Sequence, residues 1–214
     1  MSLPHDDALA AAMAAVAHAF AGMTAGPDET GCGRCFDERE RTLLRTPDAP
    51  LPPDLVRRCA QKHPTHWTDQ PAVLRRVLPQ LVTLPAAGEP EPALTARGLA
   101  AAGRPLWPRD QARPVAAFLE AWWTWTPRTD SPPTAACDVF ESCATSSSSA
   151  TPWPARWEAE TGPVARRHLD ESVHHWREEL ASGTSPFVWW WGGEAAERSA
   201  WREVTDRLVL RRGD

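Results

Sequence analysis

Tyrosine is missing from the 214 residues, and so is any apolar run near the roughly 20 residues that a bilayer span needs. No Lys or Arg precedes Arg34, while Asp6 and Asp7 stand near the start, so the basic opening of a signal peptide is also missing. These absences argue against membrane insertion and export, and a cytoplasmic protein is expected. No GxGxxG, Walker A, GxSxG or HExxH pattern occurs, which leaves dinucleotide, nucleotide, α/β-hydrolase and metalloprotease readings without a motif. Neither an internal repeat nor a succession of strand-like segments is present. The cysteines number five (Cys32, Cys35, Cys59, Cys137 and Cys143), and an odd count without an export signal does not suit a disulfide-stapled secreted fold.

What is present suits a folded core. Hydrophobic residues make up 42% and charged residues 24%, far from the composition of a disordered chain. The formal net charge of −5 disfavours a general nucleic-acid or anionic-membrane binder. The densest basic pairs, Arg57–Arg58, Arg75–Arg76 and Arg166–Arg167, read as solvated helix faces or packing stems. Twelve tryptophans supply large areas for burial between helices, each ring N–H wanting an acceptor.

Apolar residues recur at three and four. Leu9, Met13, Val16 and Phe20 define a helix over about 6–21, ended by Gly22, Gly26 and Pro27. A turn at 31–35 feeds a helix through Leu44, and Leu55, Val56 and Cys59 mark a short one. Asp69 is placed to cap the next, with Pro71 in its first turn and an apolar face of Val73, Leu74, Val77, Leu78, Leu81 and Val82. Pro79 is expected to bend or divide it. A Pro/Gly/Glu loop covers 85–92, and Leu94 and Leu99 suggest a helix ended by Gly103. Val115, Phe118, Leu119, Trp122 and Trp123 define a helix over 109–125, and Val139 and Phe140 a shorter one. The longest helix is expected at about 154–181, stopped by Gly183 and Pro186, and a last one over 194–210. The expected fold is all-α: an irregular helical bundle or orthogonal array of about eight helices, forming a single domain over 1–214. The serine run Ser146–Ser149 is the place for any subdivision, near 146–152.

Three clusters carry chemistry. Cys32-Gly33-Arg34-Cys35 can aim two thiolates at one zinc ion, which wants four N or S donors, and Cys59, His63 and His66 are the downstream candidates to complete the set. The same pair suits a redox dithiol or two structural thiols, although the strands of a thioredoxin-type site are lacking. On the longest helix, Glu171 and His174 share a face, with His168 and His175 nearby, but only one copy of such a Glu/His pair occurs where a di-metal helix bundle uses two. Trp189-Trp190-Trp191-Gly192-Gly193 suits core packing, a partner surface or a ligand pocket.

The chain resembles a family of uncharacterised, mainly actinobacterial short helical proteins that carry an early CPxC-type motif. The similar blocks are Cys32-Gly33-Arg34-Cys35, Lys62 to Trp67 with Asp69, and Val77-Leu78-Pro79-Gln80-Leu81. Further blocks are Leu106 to Asp110, Val115 to Trp122 and Arg167-His168-Leu169, so the likeness spans about 20–205. It implies a cytoplasmic helical protein and brings no activity. Here Gly33 replaces the proline inside the pair, His66 stands where a Thr precedes the Trp, and Cys59 departs from the pattern.

These readings converge on a non-enzymatic helical scaffold or protein-binding module with a protein partner and a structural zinc clip. An enzyme using a thiol, a metal or the His/Glu site at 168–175, and a nucleic-acid-associated regulator, are the alternatives. A small-molecule ligand is left open.

Overall fold

The structure, a computed structural model, describes residues 4–84, 88 and 91–209. The loop expected at 85–92 lies largely outside the described residues, as does Leu210. Among the described residues there are ten α-helices and no strand. They are α1 (Pro4–Ala19), α2 (Glu38–Arg45), α3 (Pro53–Gln61), α4 (Gln70–Leu81) and α5 (Pro92–Ala101). They continue with α6 (Arg109–Trp125), α7 (Ala136–Ser147), α8 (Pro152–Ala159), α9 (Pro163–Ser182) and α10 (Glu194–Val204). The fold is an irregular helical bundle in which α1 lies along α6 and α5 along α7, with α3 bridging α4 and α5. None of the described helices is long and apolar enough to cross a membrane.

The apolar stripes face one another as their spacing requires. Leu9 and Val16 from α1 and Phe20 just after it are buried, as are Val73, Leu74, Val77, Leu78 and Leu81 from α4 and Val115, Phe118, Leu119, Trp122 and Trp123 from α6. One connected cluster of buried side chains runs from Leu9 to Val209. Asp69 caps α4 by accepting the Ala72 N–H at 3.0 Å. Pro79 sits inside α4 without dividing it; the next residue, Gln80, ties the loop before α3 to the helix by accepting from Leu51 N and donating to Leu51 O, both at 2.8 Å.

Two helix crossings depend on single residues. A Cβ on Gly98 would lie 2.1 Å from the carbonyl oxygen of Ala60, so only glycine lets α5 approach α3 this closely. Arg104 is buried and donates to Ser146 O at 3.0 Å, and the serine run is not an open linker at that point: α7 extends to Ser147, with Ser146 buried and Ser148 closing the helix in a left-handed conformation.

The sequence reading of one helix over 154–181 is corrected. The chain leaves helix after Ala159 and re-enters at Pro163. Proline lacks the N–H that a helix interior needs and disfavours the helical region for the residue before it, which here is the poor helix former Gly162, extended at φ −63°, ψ 153°. The break lets α8 and α9 place Trp157 and Trp176 edge to face, with centroids 5.7 Å apart. Trp123, Trp153, Trp201 and Phe140 continue this aromatic stack. The apolar run 187–191 forms turns rather than a strand.

Candidate metal centre

The CxxC segment is a tight turn fixed from several sides. Its entry, Gly31, has φ +57°, and a Cβ there would press on the Trp67 ring at 3.2 Å, so glycine is needed on both counts. Within the turn, the N–H groups of Cys35 and Phe36 both donate to Cys32 O, at 2.9 and 3.0 Å. Its exit is α2, begun by Asp37 and Glu40 in a reciprocal capping box. Arg58 on α3 donates to Cys35 O at 2.9 Å and also pairs with Glu40 and Asp54.

The opposite wall is a second turn. Pro64 opens a single 3₁₀ turn, in which the N–H of His66 donates to His63 O and that of Trp67 to Pro64 O, both at 3.0 Å. The turn projects His66 toward the cysteines while Trp67 packs on Phe36, ring centroids 4.4 Å apart.

Glu29 joins the two turns. Its buried carboxylate accepts from Gly31 N at 2.8 Å, ahead of the cysteines, and from Thr68 N and Asp69 N at 3.0 and 2.8 Å, just past the histidine. Several charge-assisted bonds to backbone N–H groups make such a carboxylate a strong cross-link.

Between these walls the ligating atoms of Cys32, Cys35 and His66 all lie within 4.8 Å of one another, and the three residues form a cluster able to hold a metal ion. Cys35 Sγ is 3.5 Å from His66 Nδ1. Tetrahedral zinc with arms of about 2.0–2.3 Å holds neighbouring donors roughly 3.5–4 Å apart, so the observed contact is at coordination scale. The Cys32 thiol is lowered to about 7, chiefly by the backbone N–H of Arg34 and then by hydrogen bonds with His66 and Cys35. The Cys35 thiol is raised, first because it shares a proton with Cys32 and then by burial; Lys62 and Arg58 oppose that rise. A pair split this way readily supplies one thiolate, and a metal cation would favour the second.

Of the five residues expected to bind metal, the structure thus gathers three. Cys59 is fully buried on α3, where burial pushes its thiol far up and it behaves as a small apolar side chain. His63 is exposed, with Nδ1 2.9 Å from Thr65 Oγ1 and its ring 5.8 Å from that of Trp191. Neither belongs to the cluster. Glu29, Arg58 and Lys62 were not singled out as site residues, because loop residues and helix-end cations carry no periodic signal; only the short distance from Glu29 to Cys32 hinted at a link.

The histidines of α9 do not converge. His168 is buried, with Nε2 2.9 Å from Thr129 O and Nδ1 3.5 Å from Glu171. His174 points to solvent beside Glu178, and His175 lies near Glu179. His168 and Glu171 border an open cleft of about 550 Å³ together with Cys137, whose thiol burial pushes up to about 12, leaving no thiolate there near neutral pH. Trp189, Trp190 and Trp191 are half-buried: Trp190 packs on Phe187, and the Arg97 guanidinium lies 5.9 and 5.5 Å from the centroids of Trp189 and Trp191.

No protein-family model, curated protein or solved structure matches the chain.

Proposed function

We propose that the chain is a non-enzymatic helical scaffold whose N-terminal loops are clipped by one zinc ion on Cys32, Cys35 and His66, and which acts by binding a protein partner. The observation that carries this is the meeting of two thiols and an imidazole within 4.8 Å from turns about thirty residues apart. Two thiolates and an imidazole form a donor set suited to zinc. When bound, zinc cross-links the two turns, and its binding energy becomes folding energy. The surroundings favour a clip: Glu29, Arg58 and the Phe36–Trp67 pair hold the turns and leave the three donors half-exposed at their junction.

The partner surface we assign is the segment Val188–Trp191. Val188 is 58% exposed, and the three rings beside it are half-buried, Trp189 and Trp191 under Arg97. Tryptophan and arginine are the residue types that dominate interface energies. A nucleic-acid role has less support, because Arg58 and Arg167 are spent on ion pairs and Arg76 is buried against the carbonyls of Leu43 and Ala49. A reducing cytoplasmic setting, in which five unpaired thiols persist, belongs to this reading.

A redox dithiol is the second reading, favoured by the split between Cys32, lowered to about 7, and Cys35, raised. Thermal unfolding of reduced, metal-stripped protein with and without zinc separates the two. A free zinc concentration about 100-fold above Kd adds about 2.7 kcal/mol of stability under the clip reading, and Cys32→Ser abolishes the gain. A melting curve indifferent to zinc, together with ready Cys32–Cys35 disulfide formation, would favour the dithiol.

A further inference from the structure

We propose that the Cys32/Cys35/His66 centre keeps one coordination position for an anionic donor from outside the chain, a carboxylate or a thiolate, drawn there by Lys62. The inference rests on the zinc reading above and names the ligand class of that site.

Zinc takes four donors in tetrahedral sites, and sites with three protein ligands hold an exchangeable group in the fourth position. Among the described residues the cluster supplies three. The two residues best placed by sequence to complete it are committed elsewhere, Cys59 in the core and His63 with Thr65 and Trp191. Cys32, Cys35 and His66 are each half-exposed, so the remaining corner is open to solvent.

Charge decides what that corner takes. Two thiolates cancel the charge of the zinc ion and the imidazole is neutral, so the metal and its ligands sum to zero. Apart from Cys32, itself a ligand of the site, the charges acting on Cys35 are those of Lys62 and Arg58. Arg58 is anchored on Cys35 O at 2.9 Å, and Lys62, the only lysine in the chain, stands one helical turn further on at the end of α3. A neutral metal centre beside a lysine prefers an anionic fourth donor over a neutral one of similar size. Arg58 already serves Glu40 and Asp54, which leaves Lys62 as the residue whose charge an incoming carboxylate or thiolate meets most directly.

The test uses the full chain, reduced and metal-stripped, loaded anaerobically with one equivalent of cobalt(II) as a spectroscopic stand-in for zinc. The expected result is a tetrahedral cobalt spectrum with thiolate-to-cobalt bands. Sodium azide should shift it at concentrations where imidazole does not. Acetate and 2-mercaptoethanol then tell a carboxylate preference from a thiolate one. At cobalt saturation and constant ionic strength, Lys62→Ala should weaken azide binding several-fold, and Lys62→Arg should restore it. Circular dichroism checks that each variant remains folded. A cobalt spectrum unmoved by azide means a closed site and overturns the inference while leaving the zinc reading standing. Imidazole binding as well as azide, or Lys62→Ala binding azide as the parent does, overturns the charge argument. Absence of thiolate–cobalt bands removes the metal reading itself, and this inference with it.

Discussion

The carboxylate of Glu29 accepts the backbone N–H of Asp69 at 2.8 Å, across forty residues of sequence. With its bonds to Gly31 and Thr68, this one side chain sets the separation of the CxxC turn from the His66 turn. Glu29→Gln keeps the shape but weakens the acceptors and turns an NH₂ toward backbone donors. A buried charge-assisted contact of this kind is worth about 1.5–3 kcal/mol. The variant should lose about 2 kcal/mol by urea denaturation, with an unchanged m-value, and bind zinc more weakly in chelator competition. Unchanged zinc affinity would mean that Glu29 does not position the ligands.

The ligand set can be separated residue by residue. Cys32→Ser, Cys35→Ser and His66→Ala should each abolish stoichiometric zinc, measured by mass spectrometry of the metal after dialysis. His63→Ala should keep it, and so should Cys59→Ala, since both lie apart from the cluster. Cys59→Ala removes a buried sulfur and should cost about 1 kcal/mol of stability. Loss of zinc in Cys59→Ala or His63→Ala would require a different site.

Glu141 gives the molecule a pH dependence of defined sign. Its side chain is buried on α7 and accepts from Trp176 Nε1 at 2.9 Å. Burial, helped by Asp138 and Glu179, raises its carboxyl well above the ordinary value, and only the Trp176 bond opposes the rise. Below the unfolded value of about 4.3, both states hold the proton and Glu141 adds no pH dependence. As pH climbs past about 4.3 the unfolded chain releases its proton first, so Glu141 lowers stability by up to about 1.4 kcal/mol per pH unit until the folded carboxyl ionises too. Glu141→Gln retains an oxygen for Trp176 and does not titrate. The variant should therefore gain on the parent as pH rises from about 5 to about 8, in denaturation curves taken across that range. Parallel curves would show that the carboxyl does not stay protonated on folding.

How much of this was legible in the sequence follows from what carried each element. Val73, Leu74, Val77, Leu78 and Leu81 announced α4 because burial of one face imposes a period that survives in the sequence. The break at Gly162–Pro163 was readable in principle, since a glycine followed by a proline favours ending one helix and starting another, but the apolar pattern on both sides hid it. At the site, Cys32, Cys35 and His66 were all named, because cysteine spacing and nearby histidines are local features. Which of five residues would meet was not legible: Cys59 lies on the inner face of α3 and His63 at a solvent-facing turn, and only the packing of α3 decides that. Glu29 bonds to backbone groups, which leave no mark on the residue types they belong to.

The contact of Gly98 with Ala60 tests the packing that places α3, and with it Lys62 and Arg58. Gly98→Ala puts a methyl group 2.1 Å from a backbone oxygen, which must be relieved by moving a helix. Overpacking of this kind costs about 1–3 kcal/mol, where alanine in an open helix position would add stability relative to glycine. A destabilised Gly98→Ala variant, measured by thermal melting, is the expected outcome. A more stable one would show that α5 does not approach α3 this closely.

X-ray absorption at the zinc edge, on reduced protein reconstituted with one equivalent of zinc, tests the central claim most directly. The expected first shell holds two sulfurs at about 2.3 Å and nitrogen or oxygen donors at about 2.0–2.1 Å, with the outer-shell scattering of a single imidazole. A shell made only of oxygen and nitrogen, or one with four sulfurs, would contradict a centre built from Cys32, Cys35 and His66.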